Sequence, residues 1–557
     1  MNLMSLSNTS SCSKVSSVRP TTGHIVLRHN KESTLFDLID GCVDDTLALL
    51  RKHYQDSNYE VVGVGFSSFV MNFIGLNDSG HPVGEEATLS YASNTPDVVK
   101  ECQVLKRELG NQMVDELYQK TGAPIHSAYA LAQLVSYYKT RGATTEDDQA
   151  CHVKQWSSIA SICLSRWIGM APKLVPISFS EASWTGMFNF RTCEWECDCI
   201  HLLPEECQNA LPKVADYASR PYFIEEYCVA NSSKRIRNSY WDRWPELRGN
   251  NGERCRMFLG MGDGACANVG SKCTSTSRIA VTIGTSAAMR VCMPLPCRQH
   301  TDNATTSMLV DKFIVPRGLF CYRINQSYVL VGGALTDGGS IIEWLRNLMN
   351  LKYDDDFNSC LQKASHSYYV CGSQRETHND KREPSRDRTG TGTTLSVIPF
   401  LGGERSVGFR GGASGSIIGL SRNTSSSDLM RACLESVVLR LHAIWMAMDL
   451  KEHISCVIAS GNALECNDLW RQMLADCIQK PVIIDHSTRE GTSRGVGILV
   501  GMEFFNTLRR ENKSFAVEKL DVFDERSPNR ERKDHWRIVQ TLQDDSIQCI
   551  APLWNTS

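Results

Sequence analysis

One carboxylate in the sequence is surrounded by small residues and could act as a proton acceptor. It is Asp263, which lies in the stretch GMGDGACANVG between Gly260 and Gly270. Glycine and alanine let a substrate and the backbone approach the carboxylate closely. A carboxylate in such a place can accept the proton that a substrate hydroxyl loses during attack. The alternative interpretation is a tight turn that carries a solvated aspartate.

Three glycine-containing turns in the second half of the chain could bind phosphate or a nucleotide. Gly284-Thr285-Ser286 interrupts two apolar β runs, and such a turn offers backbone amides and hydroxyl groups to an anion. Residues 330–347 predict a strand that ends in glycines and opens onto a helix whose N-terminal amides would face an anion. Residues 458–482 predict a strand, a turn with Gly461 and a helix. Taken alone, each stretch also fits an ordinary turn.

Hydrophobic periodicity predicts the elements that must position these residues. Apolar residues at helical spacing between Leu35 and Leu50, with Leu38 among them, predict a first helix. Further helices are expected at about 97–120, 127–138, 153–168, 427–449, 467–479 and from about 492. Strands are expected at 61–66, 72–76, 279–283, 289–292, 328–331, 395–400, 456–459 and 482–484. Residues from about 178 to 250 predict irregular structure with short helices. The alternation of strands and helices after residue 275 indicates an α/β lobe with a sheet covered on both faces.

Length and composition indicate a globular protein of two lobes. The chain has 557 residues, which is too long for one hydrophobic core, and 42% of them are hydrophobic while 22% are charged. The formal net charge of -3 favours neither nucleic acid nor an acidic membrane, so the expected partner is a small molecule. No apolar run reaches the length of about 18 residues that a membrane-spanning helix needs.

The 23 cysteines are scattered mostly singly through apolar segments. This usage is typical of reduced thiols and predicts a reducing, cytoplasmic location. A denser group consists of Cys193, Cys197, Cys199, His201 and Cys207. Thiolates and imidazole are zinc ligands, but the C-x3-C-x-C spacing matches no familiar zinc-binding pair. We therefore prefer ordinary reduced cysteines over a structural zinc site.

The first 31 residues differ in composition from the rest of the chain. They hold seven serines and several basic residues, and the first carboxylate is Glu32. A serine-rich, basic and acid-poor start is typical of an organellar transit peptide. A truncated start is the alternative that we prefer, because no clear amphipathic arginine helix supports targeting. A second polar stretch, at 371–393, lacks periodicity and predicts a surface insertion.

In their order along the chain, these motifs strongly resemble the FGGY carbohydrate kinases. The resemblance extends from about residue 33 to about residue 505. The resembling segments are VGVGFSSFVMNFIGLNDSGHPV (62–83), KQWSSIASICLSRWIG (154–169), ISFSEASWTGMFNFRT (177–192), GDGACANVGS (262–271), TIGTSAAMRV (282–291), VGGALTDGG (331–339), PFLGGERSVGFR (399–410), SGNALECNDLWRQMLAD (460–476) and EGTSRGVGILVG (490–501). The second-half motifs are more similar to gluconokinase-type members than to glycerol or xylulose kinases.

The resemblance implies an α/β fold of two actin-like (ribonuclease H-like) lobes with a catalytic cleft between them. The N-terminal lobe, which binds the sugar, would comprise residues 33–275. The C-terminal lobe, which binds the nucleotide, would comprise residues 276–505 with the polar insertion. Residues 1–32 would be an atypical leader and residues 506–557 a C-terminal extension. A homodimer is one option for its assembly.

The resemblance also implies a catalytic role for Asp263. This residue matches the family's catalytic base, which accepts the proton of the substrate hydroxyl as that oxygen attacks the γ-phosphorus of ATP. Phosphoryl transfer depends mainly on positioning and charge neutralisation, so one well-placed proton acceptor is enough. ATP and Mg2+ are the implied cofactors. Arg405 and Arg410 would face the nucleotide cleft, although loop arginines are more often simply solvated.

Five residues match the nucleotide-binding motifs of the family. Gly284 and Thr285 match the second phosphate loop, and Gly339 matches a glycine on the phosphate side. Gly461 and Asn462 match the adenosine turn. Asn462 replaces the commoner second glycine, which is a departure from the family pattern.

The substrate side departs further from the family. Ser67 and Tyr91, together with the catalytic carboxylate, are the candidate substrate-binding residues. Family members usually carry Gln or His within the segment that is SSFVMN here, and an Asp shortly after the aromatic residue that matches Tyr91. This chain has Phe69, Met71 and Ser93 near those places. The resemblance therefore leaves the substrate open.

The leading hypothesis is an ATP-dependent kinase of a small sugar, polyol or sugar acid, with gluconate first and ribulose, xylulose or glycerol-like polyols behind it. The family's first strand ends in an Asp-Gly-Thr phosphate loop whose carboxylate helps to hold magnesium, and nothing before Glu32 matches it. Its loss would lower the rate by several orders of magnitude. The alternative hypothesis is therefore a catalytically impaired member with a ligand-binding or regulatory role.

Overall fold

The computed structural model describes residues 33–54, 59–69, 71–91, 93, 95–141, 152–224, 226–228, 235–237, 239–248, 254–298, 310–370, 395–486, 490–508, 520 and 523–555. The leader at 1–32 and the insertion at 371–393 that the sequence predicts lie outside these residues. None of the helices in the described ranges has both the length and the apolar character that crossing a membrane requires.

The first part of the chain combines small sheets with surrounding helices. Its helices are α1 (Ser33–His53), α2 (Pro96–Thr121), α3 (Ala130–Arg141), α4 (Ile159–Ile168), α5 (Phe179–Ala182), α6 (Cys197–Ile200), α7 (Glu205–Ala210), α8 (Ser239–Arg243) and α9 (Asp263–Gly270). Its strands are β1 (Gly63–Ser68), β2 (Asn72–Leu76), β3 (Thr88–Ser90), β4 (Gln155–Ser157), β5 (Ile177–Ser178), β6 (Phe188–Asn189), β7 (Glu194–Trp195), β8 (Val214–Ala215), β9 (Glu226–Cys228), β10 (Arg235–Arg237) and β11 (Arg256–Gly262). Strand β1 pairs in parallel with β11, and β2 lies between β3 and β4 in a sheet of three strands.

The second part is built on one large mixed sheet. Its strands are β12 (Arg278–Ile283), β13 (Ala287–Pro294), β14 (Phe320–Arg323), β15 (Tyr328–Leu335), β16 (Ser396–Ile398), β17 (Ser416–Ile418), β18 (Cys456–Ser460), β19 (Val482–Asp485) and β20 (Phe523–Arg526). Seven of them form the sheet in the order β14-β15-β13-β12-β18-β19-β20. The helices are α10 (Ser340–Leu348), α11 (Asp354–Val370), α12 (Ser426–Met448), α13 (Asn462–Glu465), α14 (Asp468–Ile478), α15 (Gly491–Leu508) and α16 (Lys533–Ile550).

One predicted helix is wrong in its first part. The segment expected to be helical from residue 153 begins with strand β4, in which the buried Trp156 pairs with Gly75 of β2. The helix starts only at Ile159, because the Ser158 side chain accepts a hydrogen bond from the amide of Ser161 and caps it there. The other helices and the strands expected from periodicity are present, with ends shifted by a few residues.

Helix α1 is confirmed, but its buried face differs from the predicted one. Phe36, Val43 and Leu47 are buried, whereas Leu38, which periodicity placed on the apolar face, is 57% exposed. The buried face also includes Asp40, whose carboxylate accepts hydrogen bonds from the indole of Trp167 at 2.8 Å and from the hydroxyl of Tyr240 at 2.7 Å. A buried carboxylate that is satisfied in this way fixes how the helix packs on the lobe.

Helix α15 belongs to the core of the N-terminal lobe, although it follows the strands of the C-terminal lobe in sequence. Val496, Leu499 and Val500 are buried among the residues of the N-terminal core. Strand β1 makes room for this helix through two glycines. A Cβ atom on Gly63 or Gly65 would lie 2.6 Å from a valine methyl of α15.

Helices α9 and α15 cross with their backbones in contact. A Cβ atom on Gly270 would lie 1.7 Å from the carbonyl oxygen of Gly491, and one on Gly495 would lie 1.8 Å from that of Cys266. No side chain fits at either point, so glycine is required there for steric reasons. The Arg494 guanidinium adds a hydrogen bond of 2.6 Å to the carbonyl of Gly270. Since α9 begins at Asp263, this crossing positions the candidate catalytic carboxylate.

The far end of α9 is attached to the large sheet by a buried ion pair. The Lys272 ammonium lies 2.8 Å from the carboxylate of Asp485, and the two side chains are 3% and 0% exposed. Asp485 is the last residue of β19. The segment that follows α9 is thereby fixed to the C-terminal lobe.

The residues that the sequence sets apart as a C-terminal extension complete the C-terminal lobe. Strand β20 pairs with β19 in antiparallel orientation and forms the edge of the large sheet. In α16, Trp536 and Val539 are buried in the core of this lobe. Residues 523–555 therefore pack as part of the lobe.

We expect Gly495→Ala to destabilise the protein by about 1–3 kcal/mol or more, because the new methyl group would meet the Cys266 carbonyl and force the two helices apart. Gly501→Ala in the same helix is the matched control, since no atom lies within 4 Å of a Cβ there. The control should be neutral or stabilising by up to about 1 kcal/mol. Urea unfolding of both variants measures the difference, and equal stabilities would contradict the required close crossing.

Candidate functional site

Asp263 lies where two parallel strands of the N-terminal lobe end side by side. In the pairing of β1 with β11, Ser67 is opposite Met261 and Ser68 is opposite Gly262. Asp263 follows directly as the first residue of α9, and its Oδ1 accepts a hydrogen bond of 2.7 Å from the amide of Gly264. The carboxylate is half-buried and Ser67 is exposed. The structure thus brings together two of the residues that the sequence singles out.

A buried polar network packs against the ends of these two strands. The Gly262 amide donates to the hydroxyl of Ser180 at 3.0 Å, and a Cβ atom on Gly262 would lie 2.3 Å from the ring of Trp184. The Ser68 hydroxyl donates to Glu181 at 2.9 Å. Burial raises the pKa of Glu181, while the hydrogen bond from Ser68 acts in the opposite direction. The chain can enter α9 in this way only because residue 262 is glycine.

On the C-terminal lobe, the turn between β12 and β13 is exposed at the end of the hairpin. Gly284 and Thr285 are both exposed, and nothing lies within 4 Å of a Cβ placed on Gly284. The amide of Gly338 donates to the Thr285 carbonyl at 2.8 Å, and the amide of Gly339 donates to the Gly284 carbonyl at 2.7 Å. The Ser340 amide also donates to Thr285, at 3.1 Å. The expectation that amides at the start of α10 face an anion is therefore wrong for these three, because they hold the hairpin turn.

The turn with Gly461, which the resemblance assigns to adenosine, lies beside this hairpin. Gly461 has a φ of 92° and a Cβ on it would lie 2.5 Å from the carbonyl oxygen of Ile283. A Cβ on Gly339 would lie 3.8 Å from that of Ala463, next to the exposed Asn462. The predicted glycines thus lie together where β12, β15 and β18 end. Their small size permits the close backbone approach that is required at these strand ends.

Tyr91 and Arg405 meet across the two lobes. Tyr91 is 50% exposed, and the guanidinium carbon of the half-buried Arg405 lies 5.9 Å from its ring centroid. Arg410, in the same loop, is exposed and forms an ion pair of 3.1 Å with Glu404. The two loop arginines therefore differ, because Arg410 has an acidic partner whereas Arg405 covers an aromatic ring of the N-terminal lobe.

Arg290 is a site residue that the sequence analysis missed. A Cβ atom on Gly264 would lie 3.2 Å from its Nε, so its guanidinium contacts the residue after Asp263. Its side chain has room because the residue opposite it in β15 is Gly332, where a Cβ would lie 3.1 Å from the Cγ of Arg290. Burial lowers the pKa of Arg290, and the charge of Asp263 acts in the opposite direction. The available signal was a single arginine inside the apolar strand AAMRVCMP.

His126 is a buried contact between the lobes. Its Nδ1 accepts a hydrogen bond of 3.1 Å from the amide of Ala128, and its ring packs edge-on at 6.3 Å from Phe409 of the C-terminal lobe. Burial lowers the pKa of His126 to about 3, and the charges of Arg405 and Lys106 act in the same direction. The imidazole is therefore neutral at pH 7.

The cysteine-rich segment does not converge on one point. Cys193 lies beside Cys297, the Cys199 thiol donates to the carbonyl of Gly186 at 3.7 Å, and Cys207 lies next to Tyr138. In the part of the chain that the structure describes, no three His, Cys, Asp or Glu side chains are grouped so that they could hold a metal ion.

Several known proteins are similar to this chain in sequence or in fold. Residues 279–504 match the FGGY family of carbohydrate kinases, C-terminal domain. Gluconokinase of Bacillus licheniformis is 23% identical over 496 residues, which cover 88% of this chain and 80% of that protein. Xylulose kinase of Staphylococcus xylosus is 21% identical over 505 residues, which cover 90% of this chain and 89% of that protein. The crystal structure of gluconate kinase from Lactobacillus acidophilus superposes with a TM-score of 0.68 at 18% identity, covering 94% of this chain and 90% of the other.

The fold is therefore that of the carbohydrate kinases, and the predicted α/β architecture of two actin-like lobes is confirmed. Over residues 279–504, the chain is similar to the C-terminal domain of the FGGY family. The resemblance to this family that the motifs predict is confirmed.

We expect Gly461→Ala to weaken ATP binding by about tenfold or more, because the methyl group would strain the backbone and push it from Ile283. Gly110→Ala is the matched control, since Gly110 also has a positive φ of 72° but nothing lies within 4 Å of its Cβ. Titration calorimetry with ATP compares the variants. Equal loss of affinity in both would mean that backbone strain alone explains the effect.

We expect the protein to lose stability as the pH falls into the mildly acidic range, because His126 is buried in its neutral form. Because its folded pKa of about 3 is below the ordinary value of 6.5, its contribution is complete above about pH 6.5 and is lost as the pH falls. Between pH 7 and pH 5 the loss should be about 2 kcal/mol. Denaturant unfolding of the wild type and of His126→Gln at both pH values checks this. An unchanged pH dependence in the variant would show that other groups are responsible.

Proposed function

We propose that this protein transfers the γ-phosphoryl group of ATP to a hydroxyl group of a small sugar acid, with gluconate favoured over ribulose, xylulose and glycerol-like polyols. The carrying observation is the contact between Gly264 and Arg290, which joins the segment with the candidate base to the hairpin with the candidate phosphate turn. A proton acceptor and a phosphate-binding turn are the parts that phosphoryl transfer to a hydroxyl requires.

In the proposed reaction, Asp263 accepts the proton of the acceptor hydroxyl as the hydroxyl oxygen bonds to the γ-phosphorus. The bond from the γ-phosphorus to the bridging oxygen breaks, and ADP leaves. Ser67, beside the base, and Tyr91 would contact the acceptor. ATP supplies the phosphoryl group when bound, and Mg2+ neutralises the charge on its phosphates.

The proposed nucleotide site lies on the C-terminal lobe. Gly284 and Thr285 would contact the phosphates, for which the open space beside Gly284 leaves room. Gly339 would border them, and Gly461 with Asn462 would contact the adenosine. Magnesium in kinases is held largely by substrate phosphates and by one or two carboxylates, so it needs no dedicated protein cage. The proposed lobe assignment is sugar on residues 33–275 and nucleotide on residues 276–505.

We favour gluconate because similar proteins include kinases of gluconate. Gluconokinase of Bacillus licheniformis and the gluconate kinase structure from Lactobacillus acidophilus are among the similar proteins. ADP release with gluconate, ribulose, xylulose and glycerol tests the proposal, with gluconate expected to give the highest kcat/KM. Fastest turnover of a neutral acceptor would contradict the gluconate assignment. ATP binding without turnover of any acceptor would favour the impaired, ligand-binding alternative.

We expect Asp263→Asn to retain its fold but to lower kcat by about 100-fold to 10,000-fold, because the amide keeps the shape of the carboxylate and cannot accept the proton. Asp78→Asn, in an exposed turn, is the control and should keep wild-type activity. Circular dichroism checks folding, and ADP release measures the rate. Near-normal turnover in the Asp263 variant would remove this residue from the reaction.

A further inference from the structure

Two arginines at the cleft have no acidic partner. Within the described ranges, neither the Arg290 nor the Arg405 guanidinium donates a side-chain hydrogen bond or lies within 4.0 Å of a carboxylate. The nearby arginines Arg410 and Arg440 differ from these two, because both form ion pairs with Glu404, at 3.1 Å and 2.8 Å. The charge of Asp263 acts on Arg290, but only from beyond 4.0 Å. Partly buried cations without a close counterion are costly, and an anionic ligand would supply the close negative charge that both arginines lack.

Both guanidinium groups lie near a pair of buried tyrosines, Tyr129 and Tyr322. Arg290 contacts Gly264, while Arg405 covers the ring of Tyr91. The hydroxyls of Tyr129 and Tyr322 lie 2.7 Å apart, and both rings are buried. The charge of Arg405 raises the acidity of both tyrosines and also lowers the pKa of Arg290, so these groups share one electrostatic environment.

This environment lies on the acceptor side of the site. The loop of Arg405 packs against Tyr91 and His126, both from the N-terminal lobe. Arg290 lies inside β13, four residues beyond the last residue of the exposed turn, or about 13 Å along the strand. A phosphate held at the turn is therefore separated from the two arginines, and an anionic group of the acceptor is the better match.

We propose that Arg290 and Arg405 bind the carboxylate of the acceptor and thereby select sugar acids over neutral sugars and polyols. This inference rests on the proposed function, since it concerns the acceptor of that reaction. Arginine suits the task because its planar guanidinium offers paired N–H donors that match the two oxygens of a carboxylate. Sugar acids and neutral polyols differ mainly at this group, so the two arginines determine specificity.

Binding of gluconate and of glucitol to the full chain tests the proposal. Glucitol has the same carbon chain but a neutral hydroxymethyl group in place of the carboxylate. Titration calorimetry at constant ionic strength should show that the wild type binds gluconate about 100-fold more tightly than glucitol. Arg290→Gln and Arg405→Gln should each remove most of this preference while glucitol binding is unchanged.

Two further variants keep the test decisive. Arg290→Lys retains the charge without the forked donors, so it should bind gluconate with intermediate affinity. Arg410→Gln is the matched control from the same loop, because its charge is already paired with Glu404, and it should bind gluconate as the wild type does. Thermal unfolding of each variant shows whether it is folded, and Arg405→Gln gives an independent answer if Arg290→Gln is not.

Three results would overturn the inference. They are equal binding of gluconate and glucitol by the wild type, equal weakening of both ligands in the variants, and weakened binding of ATP or inorganic phosphate with gluconate binding intact. The last result would assign the two arginines to the nucleotide. The failure of the proposed function looks different, since it would appear as absent ADP release whatever the binding preference. ADP release that is fastest with gluconate, together with equal binding of gluconate and glucitol, would overturn this inference and leave the proposed function standing.

Discussion

The position of the candidate base depends on a contact between two helix backbones. Helices α9 and α15 approach so closely at Gly270 and Gly495 that no side chain could lie between them. Side chains normally hold packed helices about 8–10 Å apart, and glycine allows a shorter separation. Because α9 begins at Asp263, a shift at this crossing would move the carboxylate directly. The buried pair of Lys272 and Asp485 fixes the other end of the same segment to the large sheet.

The hydrogen bonds of one acidic residue, Glu404, determine which arginines near the cleft are paired. Glu404 is buried and accepts hydrogen bonds from Arg410 and Arg440. It also accepts the amide of Gly408, so the loop is closed on itself around this carboxylate. Glu404 is thereby occupied, and Arg405 next to it in sequence is directed to the opposite lobe. A single buried acid thus orders the loop and leaves its neighbour's positive charge for the cleft.

Local patterns predicted much of this structure. The turns with Gly284 and Gly461, helix α1 and the strands of the large sheet all follow from spacing within short windows. The errors have non-local causes, since β4 depends on pairing with β2, and α15 joins a lobe that ends more than 200 residues earlier. Arg290 was missed for the same reason. Its role depends on Gly332 opposite to it and on Gly264 from another lobe, which no single window of sequence contains.

The N-terminal lobe is discontinuous in the chain, and this affects its synthesis on the ribosome. Strand β1 is made early, but the valines of α15 that cover its glycines are made only after the large sheet is almost complete. Until then, one face of β1 and the groove beside α9 expose apolar surface to water. Domains made of one continuous segment can fold one after another during translation. This protein cannot follow that order, so its two lobes must reach their final packing together, late in synthesis.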